Sequence, residues 1–238
     1  MGRFPQPEGQ RGSLKWIQLL VNDCPELINE WLRQACGFSS DTQISWLSPI
    51  RADQFAEYRD QAFLDRLGIR LDKHPLRTFW PRRGPQWDAL ARSDRGDIFL
   101  VESKAHVGEI QFGGTKASTR SASLIGASLR ATQSYLRVHT DVDYWSRILY
   151  QYTNRLAHLY LLRVLNDVPV FLVFLYFVGD KDMYGPSTQE EWKSAIQVVK
   201  GVLGVSHHHR LSRHVLDIFI SVDQIKRGRG RPGKQHLE

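Results

Sequence analysis

Cysteine is scarce in this chain of 238 residues, with two copies, and no long uninterrupted apolar run is present. Two cysteines cannot build the disulfide framework of a small secreted domain. Cys24 and Cys36 fall in one helical reading, where buried thiols are the expected state. The most apolar stretch, 171–178, is bounded by Pro169 and Gly179 and is too short for a membrane span. No apolar segment follows a basic one near the N-terminus, so a secretory leader is not indicated and a cytoplasmic protein is expected. Acidic residues are also in deficit, 25 against 32 basic, giving a net charge of +7. With a pI near 9.5, that balance favours an anionic partner, nucleic acid above all.

The residues present suit a globular protein, 42% apolar with seven tryptophans. The length allows one sizeable core, expected over 13–225 between a disordered Gly-, Pro- and Gln-rich segment, 1–12, and a basic flexible tail, 226–238. Asn22 or Asp23 caps a helix whose first turn holds Pro25 and Glu26. Its apolar stripe is Leu27, Ile28, Trp31, Leu32 and Ala35, and Gly37 is its stop. A second helix is expected over 52–67 with Phe55, Ala56, Ala62, Phe63 and Leu67 inward. That wheel puts Glu57 nearly opposite the apolar face, where it reads as solvated. A short strand at 77–80 then precedes the rigid basic turn Pro81-Arg82-Arg83-Gly84-Pro85.

The most informative stretch is 86–106. The β-prone run Ile98-Phe99-Leu100-Val101 predicts a strand that continues through Glu102-Ser103-Lys104. Alternation sets Glu102 and Lys104 on one face and Ser103 on the other. A second strand is expected over 87–91, and Ser93-Asp94-Arg95-Gly96 supplies turn residues, with Gly96 suited to positive φ. A hairpin closing near Arg95 sets Asp88 across from Glu102 to within one residue of register. Two facing carboxylates repel, at a cost that a divalent cation removes.

Asp88 followed by Glu102-Ser103-Lys104 on adjacent strands resembles the PD-(D/E)XK phosphodiesterase superfamily, the restriction-endonuclease-like nucleases. The first element here is Trp87-Asp88 rather than Pro-Asp, while Glu102-x-Lys104 matches in full. The resemblance implies an α-β-β-β-α-β core over about 50–180, a central mixed sheet flanked by helices, an α/β fold with extra helices at both ends. It implies metal-dependent hydrolysis of a phosphodiester, in DNA more than RNA. Asp88, Glu102 and the Ser103 carbonyl would hold Mg²⁺ or Mn²⁺, and Lys104 would orient the attacking water. A homodimer fits enzymes of this kind, which cut two strands with two subunits. A helix ahead of the hairpin often lends a further glutamate, for which Glu57 is the positional candidate.

The sequence after the hairpin suggests helpers. His106 shares the predicted face of Glu102 and Lys104. A Gly-, Ser- and Thr-rich segment with Lys116 follows, then helices over 121–138 and 143–165. In the latter, Gln151, Asn154, Arg155 and His158 form one polar stripe at i, i+3, i+4 and i+7, and polar groups in so apolar a helix need partners. Gln151 and Arg155 are expected to contact phosphate or the catalytic carboxylates. Arg82 and Arg83 are candidates for phosphate contacts. Strands at 170–178, buried on both faces, and 215–222 enclose one more helix. Arg229-Gly230-Arg231-Pro232 looks like the core of an AT-hook, which lays arginines in a narrow minor groove. The rival to a nuclease is a nucleic-acid-binding module that keeps the fold without turnover.

Overall fold

The computed structural model describes residues 2–110, 113–115 and 117–229. A short strand β1 (Arg3–Phe4) leads into helices α1 (Gly12–Asp23) and α2 (Pro25–Cys36). Strand β2 (Ile44–Ser48), the two-residue strand β3 (Glu57–Tyr58) and helices α3 (Gln61–Leu67) and α4 (Leu76–Phe79) follow. Strands β4 (Ala89–Ser93) and β5 (Ile98–Lys104) come next. Helices α5 (Thr119–Leu136), α6 (Val142–Arg147) and α7 (Tyr150–Leu159) cross over to strand β6 (Val170–Val178). Helix α8 (Gln189–Leu203), strand β7 (Val215–Ser221) and helix α9 (Val222–Arg229) end the described chain.

One mixed sheet in the order β2-β4-β5-β6-β7 organises the molecule. Its first three strands are antiparallel, and β5, β6 and β7 run parallel. β6 has no polar residue because both its faces are covered. Phe171, Val173, Leu175 and Phe177 pack with apolar residues of α1, α2 and α9. Leu172, Phe174 and Tyr176 pack with residues of α5, α7 and α8 on the other side. Burying each such side chain contributes roughly 1.5–3 kcal/mol. The same alternation in β5 sends Phe99 and Val101 toward α1 and α2, and Ile98 and Leu100 toward α5 and α7. Glu102 continues the second set, so the catalytic candidates face the crossover helices. At the turn, the Gly96 N–H donates to the Ser93 carbonyl at 3.0 Å, and Gly96 has the positive φ its position requires, 91°.

Several elements differ from the sequence reading. The expected helix over 52–67 is helical only at Arg51–Asp53 and in α3. Gln54, Phe55 and Asp60 take φ of 56°, 49° and 52°, and between them β3 pairs with β1 and, through Tyr58, with Trp87. Of segment 77–80, residues 77–79 lie in helix α4, started by Pro75, whose carbonyl accepts the Thr78 N–H at 3.0 Å, and only Trp80 is extended. The helix over 143–165 breaks between α6 and α7, because Gly113 pairs with Leu149 and its N–H takes the Ile148 carbonyl at 2.7 Å. The segment 1–12, expected to be disordered, supplies β1 and clamps Gln18, which accepts from the Gly9 N–H at 2.8 Å and donates to the Pro7 carbonyl at 2.9 Å. Of the expected basic tail, 226–229 close helix α9 and 230–238 lie outside the described residues. Cys24 and Cys36 are free thiols, half-buried, and burial pushes them up to about 11 and about 12.

Candidate active site

The hairpin register, Ala89 opposite Val101, brings Asp88 to the C-terminal end of β5. There the Asp88 N–H donates to the Val101 carbonyl at 3.1 Å. Its Oδ2 accepts from the Ser103 N–H at 2.7 Å and the Ser103 hydroxyl at 2.9 Å. Ser103, whose carbonyl is the expected metal ligand, also holds Asp88 through its N–H and hydroxyl. Oδ1 of Asp88 accepts no hydrogen bond among the described residues.

Glu102 is 3% exposed, and both its oxygens are held. Lys104 Nζ donates to Oε1 at 2.5 Å, and Arg155 donates to Oε2 from Nε at 2.9 Å and from Nη2 at 2.5 Å. Burial opposes the charge on Glu102, but Arg155 and then Lys104 outweigh it and keep its carboxyl below the usual range. Burial likewise opposes the charge on Lys104, and the facing Glu102 and Asp88 reverse that and raise it. The ammonium therefore persists. Arg155 is fixed in turn by the Gln86 carbonyl at 2.9 Å, by Asn154 Oδ1 at 2.8 Å and by the Trp87 ring, whose centroid is 5.1 Å away. Gln151 Oε1 accepts from Lys104 Nζ at 3.4 Å. The structure thus brings together Asp88, Glu102, Lys104, Arg155 and Gln151.

Glu57 belongs with them. Instead of lying solvated on a helix it is buried in β3, and its Oε2 accepts from Gln86 Nε2 at 2.5 Å and from Gln6 Nε2 at 3.2 Å. Burial, then the charge on Asp88, pushes its carboxyl up to about 8. Burial, then the charge on Glu102, pushes Asp88 to about 6. Two carboxyls are raised and one is lowered, according to which of them has a cation in contact.

Other candidates fall elsewhere. β5 ends at Lys104, and His106, just beyond it, lies 3.7 Å from Glu109. His158 is buried, donates from Nδ1 to the Asn154 carbonyl at 2.8 Å and packs edge-on to Trp80. Burial drives it down to about 3, so it is a neutral core residue. Arg82 and Arg83 are exposed on the turn before Asp88. Arg229 lies in α9 and pairs with Asp23 at 3.0 Å, while Lys116 and Arg231 lie outside the described residues. Gln86 and Asp60 were not legible as site residues, since a lone Gln or Asp beside a turn carries no signal. Asp60 accepts from the N–H groups of Arg83 at 3.1 Å and Gly84 at 2.8 Å, anchoring that turn.

Among the described residues, no three His, Cys, Asp or Glu side chains make a ready metal cluster. The donor chemistry still fits a hard divalent cation, being entirely carboxylate oxygen. Asp88 Oδ1 and Glu57 Oε1 are both without a hydrogen-bond donor among the described residues, and both carboxyls carry a repulsion that such a cation relieves. The cavity against Glu102 and Lys104, of about 30 Å³, is too small to hold a substrate. No helix among the described residues is long and apolar enough to cross a membrane. No family model, curated protein or solved structure matches this chain.

Proposed function

We propose that this protein is a metal-dependent nuclease, hydrolysing phosphodiester bonds in nucleic acid, DNA before RNA, on a PD-(D/E)XK-like site. The observation that carries the reading is the convergence of Asp88, Glu102 and Lys104 at one end of the β4–β5 hairpin. The antiparallel run β2-β4-β5, the crossover through α5–α7 and the parallel strand β6 support a restriction-endonuclease-like core. Asp88 and Glu102 would hold Mg²⁺ or Mn²⁺, with Glu57 beside them. Such an ion supplies a bound water of lowered pKa and polarises the phosphate.

The chain's own residues divide the remaining work. Lys104 keeps its proton, so it acts as a hydrogen-bond donor to the phosphate or the attacking water, stabilising negative charge as it develops. It is not a general base. Arg155 holds Glu102 ionised and in one rotamer, acting on the reaction through that carboxylate. Ser103 does the same for Asp88.

One observation favours a second reading, a silent nucleic-acid-binding module: both oxygens of Glu102 are already occupied by Lys104 and Arg155. Supercoiled plasmid incubated with Mg²⁺, Mn²⁺ or EDTA separates the two. The nuclease reading expects nicking with metal, none in EDTA, and loss in Lys104→Ala and Asp88→Ala proteins that remain folded at the assay temperature. Salt-sensitive binding without nicking in any metal selects the silent module instead.

A further inference from the structure

Beside the carboxylate site lies a second, differently built cleft of about 520 Å³, between the 81–85 turn and the first turns of α5. Arg82 and Arg83 form one wall, Ser118 and Ser121 the other, and Trp80 and Tyr150 lie between them. The two rings stack, 6.3 Å apart and tilted by 20°. Among the described residues no acidic side chain lines the cleft, and neither arginine has a carboxylate in ion-pair range.

The arginines are presented by a stiff turn. Pro81 and Pro85 bracket it, and Asp60 takes two of its N–H groups. Arg83 is held at φ 69°, a conformation that costs energy for a side-chain-bearing residue and persists only where its surroundings enforce it. Gly84 admits no side chain freely, since a Cβ there would lie 3.3 Å from both Asp60 Oδ1 and Trp80 Cδ1. Residues of the cleft are chain neighbours of the candidate active site. The turn runs straight into Gln86 and Asp88, and Tyr150 precedes Gln151, which contacts Lys104.

We infer that this cleft receives one unpaired nucleotide of a single strand, next to the phosphate at the carboxylate site. Guanidinium forks and hydroxyls suit a phosphate, and the partly exposed Tyr150 ring, backed by the buried Trp80, suits a base. The volume falls in the range of a small-ligand pocket and suits a single nucleotide. The inference rests on the nucleic-acid reading above and names its substrate as single-stranded or locally opened.

The test is performed on the Lys104→Ala protein in EDTA, so that binding is scored without cleavage. The probes are a short labelled oligothymidylate, its oligouridylate counterpart and a blunt duplex of the same length. Arg82→Gln with Arg83→Asn removes both charges, Asn being tolerant of positive φ. Ser121→Tyr keeps the charges and fills the cleft. Both variants should melt like the parent and weaken single-strand binding about tenfold or more, with a clearly smaller loss on duplex. The arginine variant should also flatten the single-strand salt dependence by about 1.4 in log–log slope. Unchanged single-strand affinity in either variant, or an equal loss on duplex, overturns the inference. The tighter of the two single strands identifies DNA or RNA. If the expected losses appear while the wild type cleaves nothing with any metal, the cleft stands and the nuclease reading falls. If the wild type cleaves while binding in the variants is unaltered, the nuclease reading stands and the cleft falls.

Discussion

Arg155 and Glu102 meet where both side chains are nearly sealed from solvent, 7% and 4% exposed. Removing one partner of such a pair leaves the other charged and buried. Arg155→Met should therefore lower the urea midpoint by an amount worth about 3 kcal/mol, the low end for a buried pair because Lys104 still serves Glu102. Adding Glu102→Gln to that variant should restore much of the loss. Glu57 behaves oppositely. Its carboxyl is pushed from the usual 4.5 to about 8, so between those values the folded protein binds more protons than the unfolded chain. Stability must then fall as pH rises through that window. Glu57→Gln has no proton to lose, so its melting temperature should match wild type at about pH 5 and exceed it at about pH 8.5. The gain is roughly 2–4 °C for each kcal/mol relieved. An equal gain at both pH values would contradict the burial of an ionising Glu57. Arg155 could be read from the sequence because a cation on an apolar helix demands a partner. Glu57 could not, because its environment comes from the unrelated residues Gln6, Gln86 and Asp88.

Elements show the same division. The β4–β5 hairpin and β6 were legible because turn chemistry and local periodicity determine them. The 52–67 segment misled because Gln54, Phe55 and Asp60 adopt positive φ without a glycine to announce it. The break before α7 is imposed by Gly113, far from it in sequence. β1 gives the clearest test of an element set by tertiary contact. It pairs Phe4 with Glu57 and Arg3 with Tyr58, and Gln6 from the same segment donates to the Glu57 carboxylate. Deleting residues 2–8 should uncover Glu57 and return its carboxyl toward the ordinary range. The truncated protein should melt lower, and the pH dependence attributed to Glu57 should shrink with it. A truncated protein with an unchanged pH–stability curve would assign that dependence to another group.

At the scale of the whole molecule, the site draws on two parts of the fold that are distant in sequence. Asp88 and Glu102 come from a hairpin, whereas Arg155 and Gln151 arrive on the crossover between β5 and β6. The hairpin is local and the crossover is long, so loop closure favours the hairpin forming first. During that interval Glu102 has Lys104 beside it but not yet Arg155, so the two carboxylates stand close together only partly neutralised. The groups proposed to cleave a substrate thus oppose the chain's earliest folding step, and Arg155 ends the conflict when the crossover docks. Sodium chloride, by screening that repulsion, should accelerate refolding of the wild type more than of Asp88→Asn in a stopped-flow experiment. Equal acceleration would mean that the crossover is already in place when the hairpin closes. Nascent chains would be most exposed to this repulsion after β5 is made and before α7 follows.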